Sequence, residues 1–400
     1  MRSFQFLFLL VFILIYTVIS VGAVKNILKN IKQKLQKRFL WMFVIYCFLL
    51  LACFIFLYIY PMQMRHATNY SIYLIFNTIL FIDFFIKIIL GLSYSIYWFF
   101  RKRKNARIIL ICGIIISTSI GIILLNASVL GNRTLKVTRV ELAYDNLPQE
   151  FNNFTIAHFS DIHLGSLMGS KALLKKTAKQ LDIINPDLIL FTGDLVNNFG
   201  KETVGFEDVF KDINVEGRSY SILGNHDYGD YTTWEDKNSK EQNFNKILSA
   251  NKKFGFQLLR NENVPIVNGI DTIYLAGVEN WGHPPFPQLA NLDKAMENIP
   301  KDAFEILMTH DPAHWESQVK GKRKIELSLS GHTHGLQWGI KVAGIPFSLA
   351  YLVRQYWGGM YKWENSILYV NTGLGAVGIP WRIDMPAELT IFTLKRSKVD

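Results

Sequence analysis

The chain has 400 residues, half of them hydrophobic, with 43 Lys and Arg against 32 Asp and Glu and a formal net charge of +11. That balance points first to a nucleic-acid partner, but residues 1–130 carry 14 basic side chains and one acid, Asp83, which leaves the remaining 270 residues at −2. A C-terminal part so close to neutral lacks the electrostatic footprint of a nucleic-acid binder. All three cysteines, Cys47, Cys53 and Cys112, lie in the N-terminal part, which also excludes a disulfide framework or thiolate metal site from the rest.

Four apolar runs come first, near Phe4–Val24, Phe39–Tyr60, Tyr70–Phe99 and Ile108–Leu125. Each can cross a hydrocarbon layer of about 30 Å, which takes roughly 20 helical residues. The loop "KNILKNIKQKLQKR" carries six basic residues and "RKRKNAR" five, whereas the loop around "QMRHATN" carries only Arg65. Because Lys and Arg stay on the cytoplasmic side, the pattern predicts a multi-pass cell (inner) membrane protein whose N-terminus and everything after Leu125 are extracytoplasmic. The first run is longer than a signal-peptide core, and its removal would strand a basic loop outside, so it reads as an uncleaved anchor. In "ILKNIKQKL", Ile27, Ile31 and Leu35 at helical spacing fit a segment lying along the inner leaflet, with a plain charged connector as the alternative. Asp83 and Lys87 stand one turn apart in the third span, where such a pair neutralises itself; a transport or relay role is the alternative. The expected organisation is a four-helix transmembrane region over residues 1–126, a linker over 127–135 and a domain over 136–400.

From Lys136 the texture becomes short apolar runs separated by Gly, Asn, Asp and Pro. "LKVTRVELAY", "NFTIAHFSD" and "PDLILFTGD" read as strands and "KALLKKTAKQLDII" as an amphipathic helix; later runs, "RSYSILGNHD", "DTIYLAGVEN", "FEILMTHD" and "KIELSLSGHTH", share one design. Each is an apolar strand whose C-terminal end delivers polar residues into a loop. Alternating strands and helices predict an α/β domain of layered sheets. The strand ends present Asp161 and His163, then Asp194, then Asn225, His226 and Asp227, then His310, and finally His332 and His334. Five of the nine histidines therefore lie at strand mouths, where open α/β sheets place ligands. Carboxylate, imidazole and amide donors without thiolate suit Mn, Fe, Zn or Mg. They are too many for one ion, and two ions sharing a carboxylate would use them all.

Each short word alone fits an ordinary turn. Together, "SDIHLG", "TGDLV", "GNHD", "MTHD" and "SGHTHG" resemble in order the five blocks of the calcineurin-like metallophosphoesterases, and "YVNTGLGAVGIPWRIDMPAELTIFTL" is similar to the closing segment of their membrane-associated bacterial branch. The resemblance covers roughly residues 136–394. It implies two packed mixed β-sheets flanked by helices, here preceded by four transmembrane helices, and two divalent metal ions. Carried over block by block, Asp161, His163 and His334 would hold the first metal, Asn225, His310 and His332 the second, and Asp194 would bridge them. Two cations about 3.5 to 4 Å apart acidify a bridging water and clamp phosphoryl oxygens during in-line attack. His226 would protonate the leaving oxygen or stabilise the charge forming on it, with Asp227 orienting its ring. His66, His158, His283 and His314 match no block and keep a structural reading, with His158 the one placed to touch the site from behind. Leu336 between Gly335 and Gln337 departs from the branch's pattern and bears on substrate approach rather than on the metals.

The segment 336–363 is apolar and aromatic, and is either exposed to lipid or buried as core. About ten residues separate Leu125 from the first strand, a reach of no more than about 35 Å. The expected substrate is thus a lipid headgroup phosphoester or a lipid-linked envelope precursor. Soluble nucleotides or other phosphoesters are the alternative, and a membrane transporter or sensor with a metal-binding outer domain is the alternative of another class.

Overall fold

The computed structural model describes residues 2–59, 70–215, 217–284, 286–342, 345–352 and 354–397. The chain divides into two units, Met1–Ser128 and Val129–Asp400.

In lipid, backbone N–H and C=O groups must be satisfied within the segment, which makes a helix of each isolated apolar run. The four runs fall in α1 (Arg2–Ile27), α2 (Gln33–Ile59), α3 (Tyr70–Phe100) and α4 (Arg107–Val129). Among the described residues, Gln33–Cys53, Leu74–Phe100 and Arg107–Val129 are long and apolar enough to cross a membrane, and a shorter apolar stretch, Leu14–Ile27, lies in α1. Tyr60, the basic-poor loop with Arg65, and His66 lie outside the described residues. Helices approach where side chains are small: a Cβ on Gly91 would stand 3.1 Å from the Ile19 side chain. Asp83 and Lys87 pair at 2.6 Å, and Tyr46 donates a hydrogen bond to Asp83 at 3.0 Å, so the acid has two partners. "ILKNIKQKL" forms no helix of its own. It is divided among the end of α1, a 3-10 turn at Leu28–Asn30 and the start of α2, because the chain turns extended at Ile31 to leave one helix and enter the next.

In the second unit only residues 130–134 separate α4 from β1 (Leu135–Tyr144). There follow β2 (Thr155–Phe159), α5 (Ala172–Ile184), β3 (Leu188–Phe191), α6 (Glu207–Ile213), β4 (Ser219–Ser221) and α7 (Lys237–Lys253). Next come β5 (Gln257–Leu258), β6 (Glu262–Asn268), β7 (Asp271–Gly277), α8 (Leu292–Ala295), β8 (Glu305–Met308) and β9 (Leu327–Ser330). The hairpin β10 (Ile340–Val342) and β11 (Ile345–Phe347), then β12 (Gly359–Trp363), β13 (Ser366–Val370) and β14 (Ala387–Arg396), complete the order. One six-stranded sheet runs β1-β14-β2-β3-β4-β5 and the other β12-β13-β9-β8-β7-β6. Both are mixed. β2, β3 and β4 are parallel with β14 antiparallel to β2, while β13, β9, β8 and β7 are parallel between antiparallel edges.

The continuous apolar run of β3 follows from burial on both faces. Leu188 and Leu190 point into the core between the sheets with Ile306, Met308, Leu327, Leu329 and Phe392. Ile189 and Phe191 face the opposite core, which holds Leu173, Leu174, Ala178 and Leu181 of α5 and Val209 and Phe210 of α6. The second sheet is covered outside by Leu292, Ala295 and Trp315. The loops after β2, β3, β4, β8 and β9 carry the seven candidate ligands together with His226 and Asp227.

Candidate metal centre

The turns after β2, β3 and β9 are unusually sharp. Asp161, His163, Asp194, His332 and His334 all have positive φ, between 46° and 71°. Non-glycine residues rarely take that conformation, and a cluster of them marks backbone held in strain by its surroundings. Of the glycines expected to allow these turns, Gly193 does so through its φ of 92°. Gly224 and Gly331 act by bareness instead: a Cβ on Gly224 would collide with the Asp194 carboxylate, and one on Gly331 with the Ser160 and Asp161 side chains.

The seven predicted ligands come together. Nε2 of His163 and Nε2 of His334 lie 3.1 Å apart, and Asp161 Oδ1 is 3.2 Å from the latter and 3.9 Å from the former. Asn225 Oδ1 lies 3.0 Å from His310 Nε2 and 2.8 Å from His332 Nδ1. Asp194 Oδ2 is 3.5 Å from His163 Nε2 and 3.2 Å from His310 Nε2, so it reaches both groups. Asp161, Asp194 and His310 also form a compact triad of donor atoms, as do Asp161, His163 and His334. Separations of 3.1 to 3.5 Å are those of two donors each about 2.1 Å from one cation. The residues present therefore fit a site for divalent metal, built from hard and borderline donors.

The electrostatics agree with this. Burial pushes the Asp161 and Asp194 carboxyls up, but the imidazoles of His334 beside the first and His310 beside the second outweigh it and hold both below the ordinary range. Burial lowers His163 well below its usual value and His332 to about 4, which keeps their lone pairs free for coordination. Burial lowers His310 too, yet Asp194 overrides it and raises the ring to about 10, a measure of how strongly this pocket favours positive charge.

His226 stands beside the cluster, its ring edge-on to that of His163 at 4.9 Å. Its backbone N–H donates to Asp194 Oδ1 at 2.8 Å, and its Nδ1 donates to the carbonyl of Asn197 at 2.6 Å. A carbonyl can only accept, so Nδ1 keeps its proton and Nε2 is the nitrogen left to exchange one with a substrate, taking it as the neutral ring or giving it as the imidazolium. Asp227 does not orient this ring, contrary to the expectation from the sequence. Its oxygens accept from the backbone N–H groups of Asp194, Leu195, Val196 and Gly224 at 2.9 to 3.2 Å, because the tight turn at Gly224 directs the side chain back under the loop. Burial and the Asp194 charge push its carboxyl up to about 7. His158 does sit behind the site: its Nε2 meets Thr192 Oγ1 at 2.9 Å, while the Thr192 carbonyl accepts from His310 Nδ1 at 2.7 Å.

Other residues at the site went unrecognised in the sequence. Glu202 is half-buried and accepts from the backbone N–H groups of Gly165, Asn197, Asn198 and Phe199, which ties the loop after His163 to the carbonyl that holds His226. His283, read as structural, pairs with the buried Asp311 at 3.0 Å, next to His310. His314 does keep a structural place, its Nδ1 3.0 Å from Thr309 Oγ1 and its ring against Trp281. Residues 334–337 form a left-handed turn, with φ of 51° to 56° at all four. Such a turn is unfavourable for L-residues. Gln337 offsets this by binding through both ends of its amide to Val377 and Ile379.

Residues 154–336 match the family model of calcineurin-like phosphoesterases. Two relatives are called transmembrane protein with metallophosphoesterase domain. The one from Danio rerio is 28% identical over 266 residues, covering 66% of this chain and 58% of that protein. The one from Bos taurus is 30% identical over 277 residues, covering 65% and 57%. An uncharacterized metallophosphoesterase, YkuE of Bacillus subtilis (strain 168), is 29% identical over 258 residues, covering 62% of this chain and 82% of YkuE. The chain spans less than two thirds of the length of the two vertebrate relatives. What residues 154–336 are similar to, by family model and by relatives alike, is a calcineurin-like phosphoesterase domain.

Proposed function

We propose that the unit Val129–Asp400 is a metal-dependent phosphohydrolase with a two-cation centre. The observation that carries this reading is the convergence of seven donors into two groups joined by Asp194 Oδ2, beside an imidazole whose tautomer is fixed. Asp161, His163 and His334 would hold one cation, Asn225, His310 and His332 the other, and Asp194 would reach both. The chemistry such cations supply when bound is Lewis-acid stabilisation of phosphoryl oxygens and activation of water. As the imidazolium, protonated at both nitrogens, His226 would give its Nε2 proton to the departing oxygen and be left as the neutral ring, with Nδ1–H still held by the Asn197 carbonyl. Asp227 holds the backbone that presents Asp194. A pure metal-binding sensor or transporter accessory would have no use for that oriented proton donor.

The substrate class in this reading is a lipid headgroup or lipid-linked phosphoester on the extracytoplasmic face of the membrane. Two features support it. The chain between α4 and β1 is five residues, 130–134, too short to let the domain travel far from its anchor. Exposed apolar side chains, Leu336, Phe347 and Tyr351, cluster on the chain leaving His334, where Ser348 donates to the Gly335 carbonyl at 2.7 Å. The remaining part of 336–363 contributes both core, as Ala350 and Tyr356, and surface, as Met360 and Trp363. The test is the full chain in detergent with Mn²⁺, assayed on aryl mono- and diesters, nucleotides and phospholipids. Preference for detergent-dispersed lipid is expected; faster turnover of soluble nucleotides would overturn the lipid assignment while leaving the hydrolase.

A further inference from the structure

The Nδ1 bond to Asn197 fixes which ring nitrogen of His226 is free, but one hydrogen bond leaves the ring plane able to tilt, since the χ2 torsion of histidine is broad. A second contact supplies that restraint. The phenol of Tyr231 lies flat on the His226 imidazole, with centroids 4.3 Å apart and planes 15° from parallel. Behind it, Phe286 packs at 4.8 Å, so the phenol is held between the two rings. The Tyr231 hydroxyl accepts a hydrogen bond from Asn225 Nδ2 at 2.7 Å, which also turns the Asn225 oxygen toward His310 and His332. The loop bearing Tyr231 is itself fastened: Trp234 Nε1 donates to the Gly229 carbonyl at 2.8 Å, and Lys240 pairs with Asp230.

We propose that Tyr231 is a positioning residue for His226, its ring fixing the plane in which the imidazole meets the leaving oxygen. The proposal rests on the phosphohydrolase reading above. Proton donation matters most when the leaving group is a poor one, because an aryl oxide departs with little help and an alkoxide does not. Loss of the restraint should therefore change the selectivity between esters rather than lower all rates together.

The experiment measures kcat/KM of the full chain with Mn²⁺ on matched aryl and alkyl phosphoesters, with bound metal counted for each variant. Tyr231→Ala is expected to lose about tenfold more on the alkyl than on the aryl ester, a modest part of the gain general acid catalysis brings. Tyr231→Phe, which keeps the ring, should retain the wild-type ratio of the two rates. Phe286→Ala, which frees the phenol without removing it, should move the ratio in the same direction by less, and it decides the matter if Tyr231→Ala does not fold. Equal losses on both esters, or a Phe variant that matches the Ala variant, would overturn the role. Wild-type protein that turns over neither ester would instead remove the hydrolase reading itself.

Discussion

Asp227→Asn separates two accounts of one residue. Each Asp227 oxygen accepts two buried backbone N–H groups, Oδ1 from Leu195 and Val196 and Oδ2 from Asp194 and Gly224. An amide keeps one oxygen and turns an NH₂ group toward two donors. Two buried N–H groups losing their acceptor, at about 1–3 kcal/mol each, destabilise the loop pair by about 2–6 kcal/mol. For a unit of this size that corresponds to a fall in Tm of roughly 5–15 °C. Thermal unfolding of the full chain in detergent, followed by intrinsic fluorescence, reads the shift, and elemental analysis should show reduced metal because Asp194 is carried on the same backbone. An unchanged Tm with full metal and lost turnover would refute the reasoning and return Asp227 to the ring-orienting role.

His226→Ala should lower turnover by about 10²-fold or more with metal content intact; a variant that loses its metal instead would make His226 a ligand. Chelation should abolish activity and Mn²⁺ restore it, whereas His332→Ala should reduce bound metal per chain with little change in fold; unchanged metal in that variant contradicts the assignment. Glu305, half-buried, is pushed from 4.5 to about 7 by burial first and by the Glu326 charge second. Its folded value lies above the unfolded one, so its contribution to stability is complete below about pH 4.5 and lost as pH rises through 7. Glu305→Gln should remove that loss, raising Tm relative to wild type more at pH 8 than at pH 4; equal differences at the two pH values would contradict it.

The candidate ligands were legible because each sits in a short word at the end of an apolar run, where strand and loop chemistry meet in contiguous residues. "SGHTHG" after "IELSL" is readable as a strand mouth before any coordinates. The restraints on His226 were not legible, since one is a backbone carbonyl, Asn197, with no side-chain signature, and the other an aromatic ring, Tyr231, indistinguishable from ordinary packing. Asp227 misled because adjacency to His226 in sequence reads as adjacency in chemistry, while the turn sends the carboxylate elsewhere. Glu202 offered no signal at all: its partners are four main-chain amides from two separate loops. In the first unit, periodicity placed the spans but could not show that "ILKNIKQKL" is shared between two helices.

β14 lies between β1 and β2, pairing Phe392 with Val140 on one side and Ile156 on the other. Strands that are near neighbours along the chain are thus parted by a segment synthesised more than two hundred residues later. Until 387–396 arrives, β1 and β2 each present a bare edge, and the stretch that donates from Leu374 and Gly375 to the carbonyls of Ser160 and Asp161 has nothing to brace it. The turn bearing Asp161 then lacks this support, so the proposed ion site is complete only once the last strand is in place.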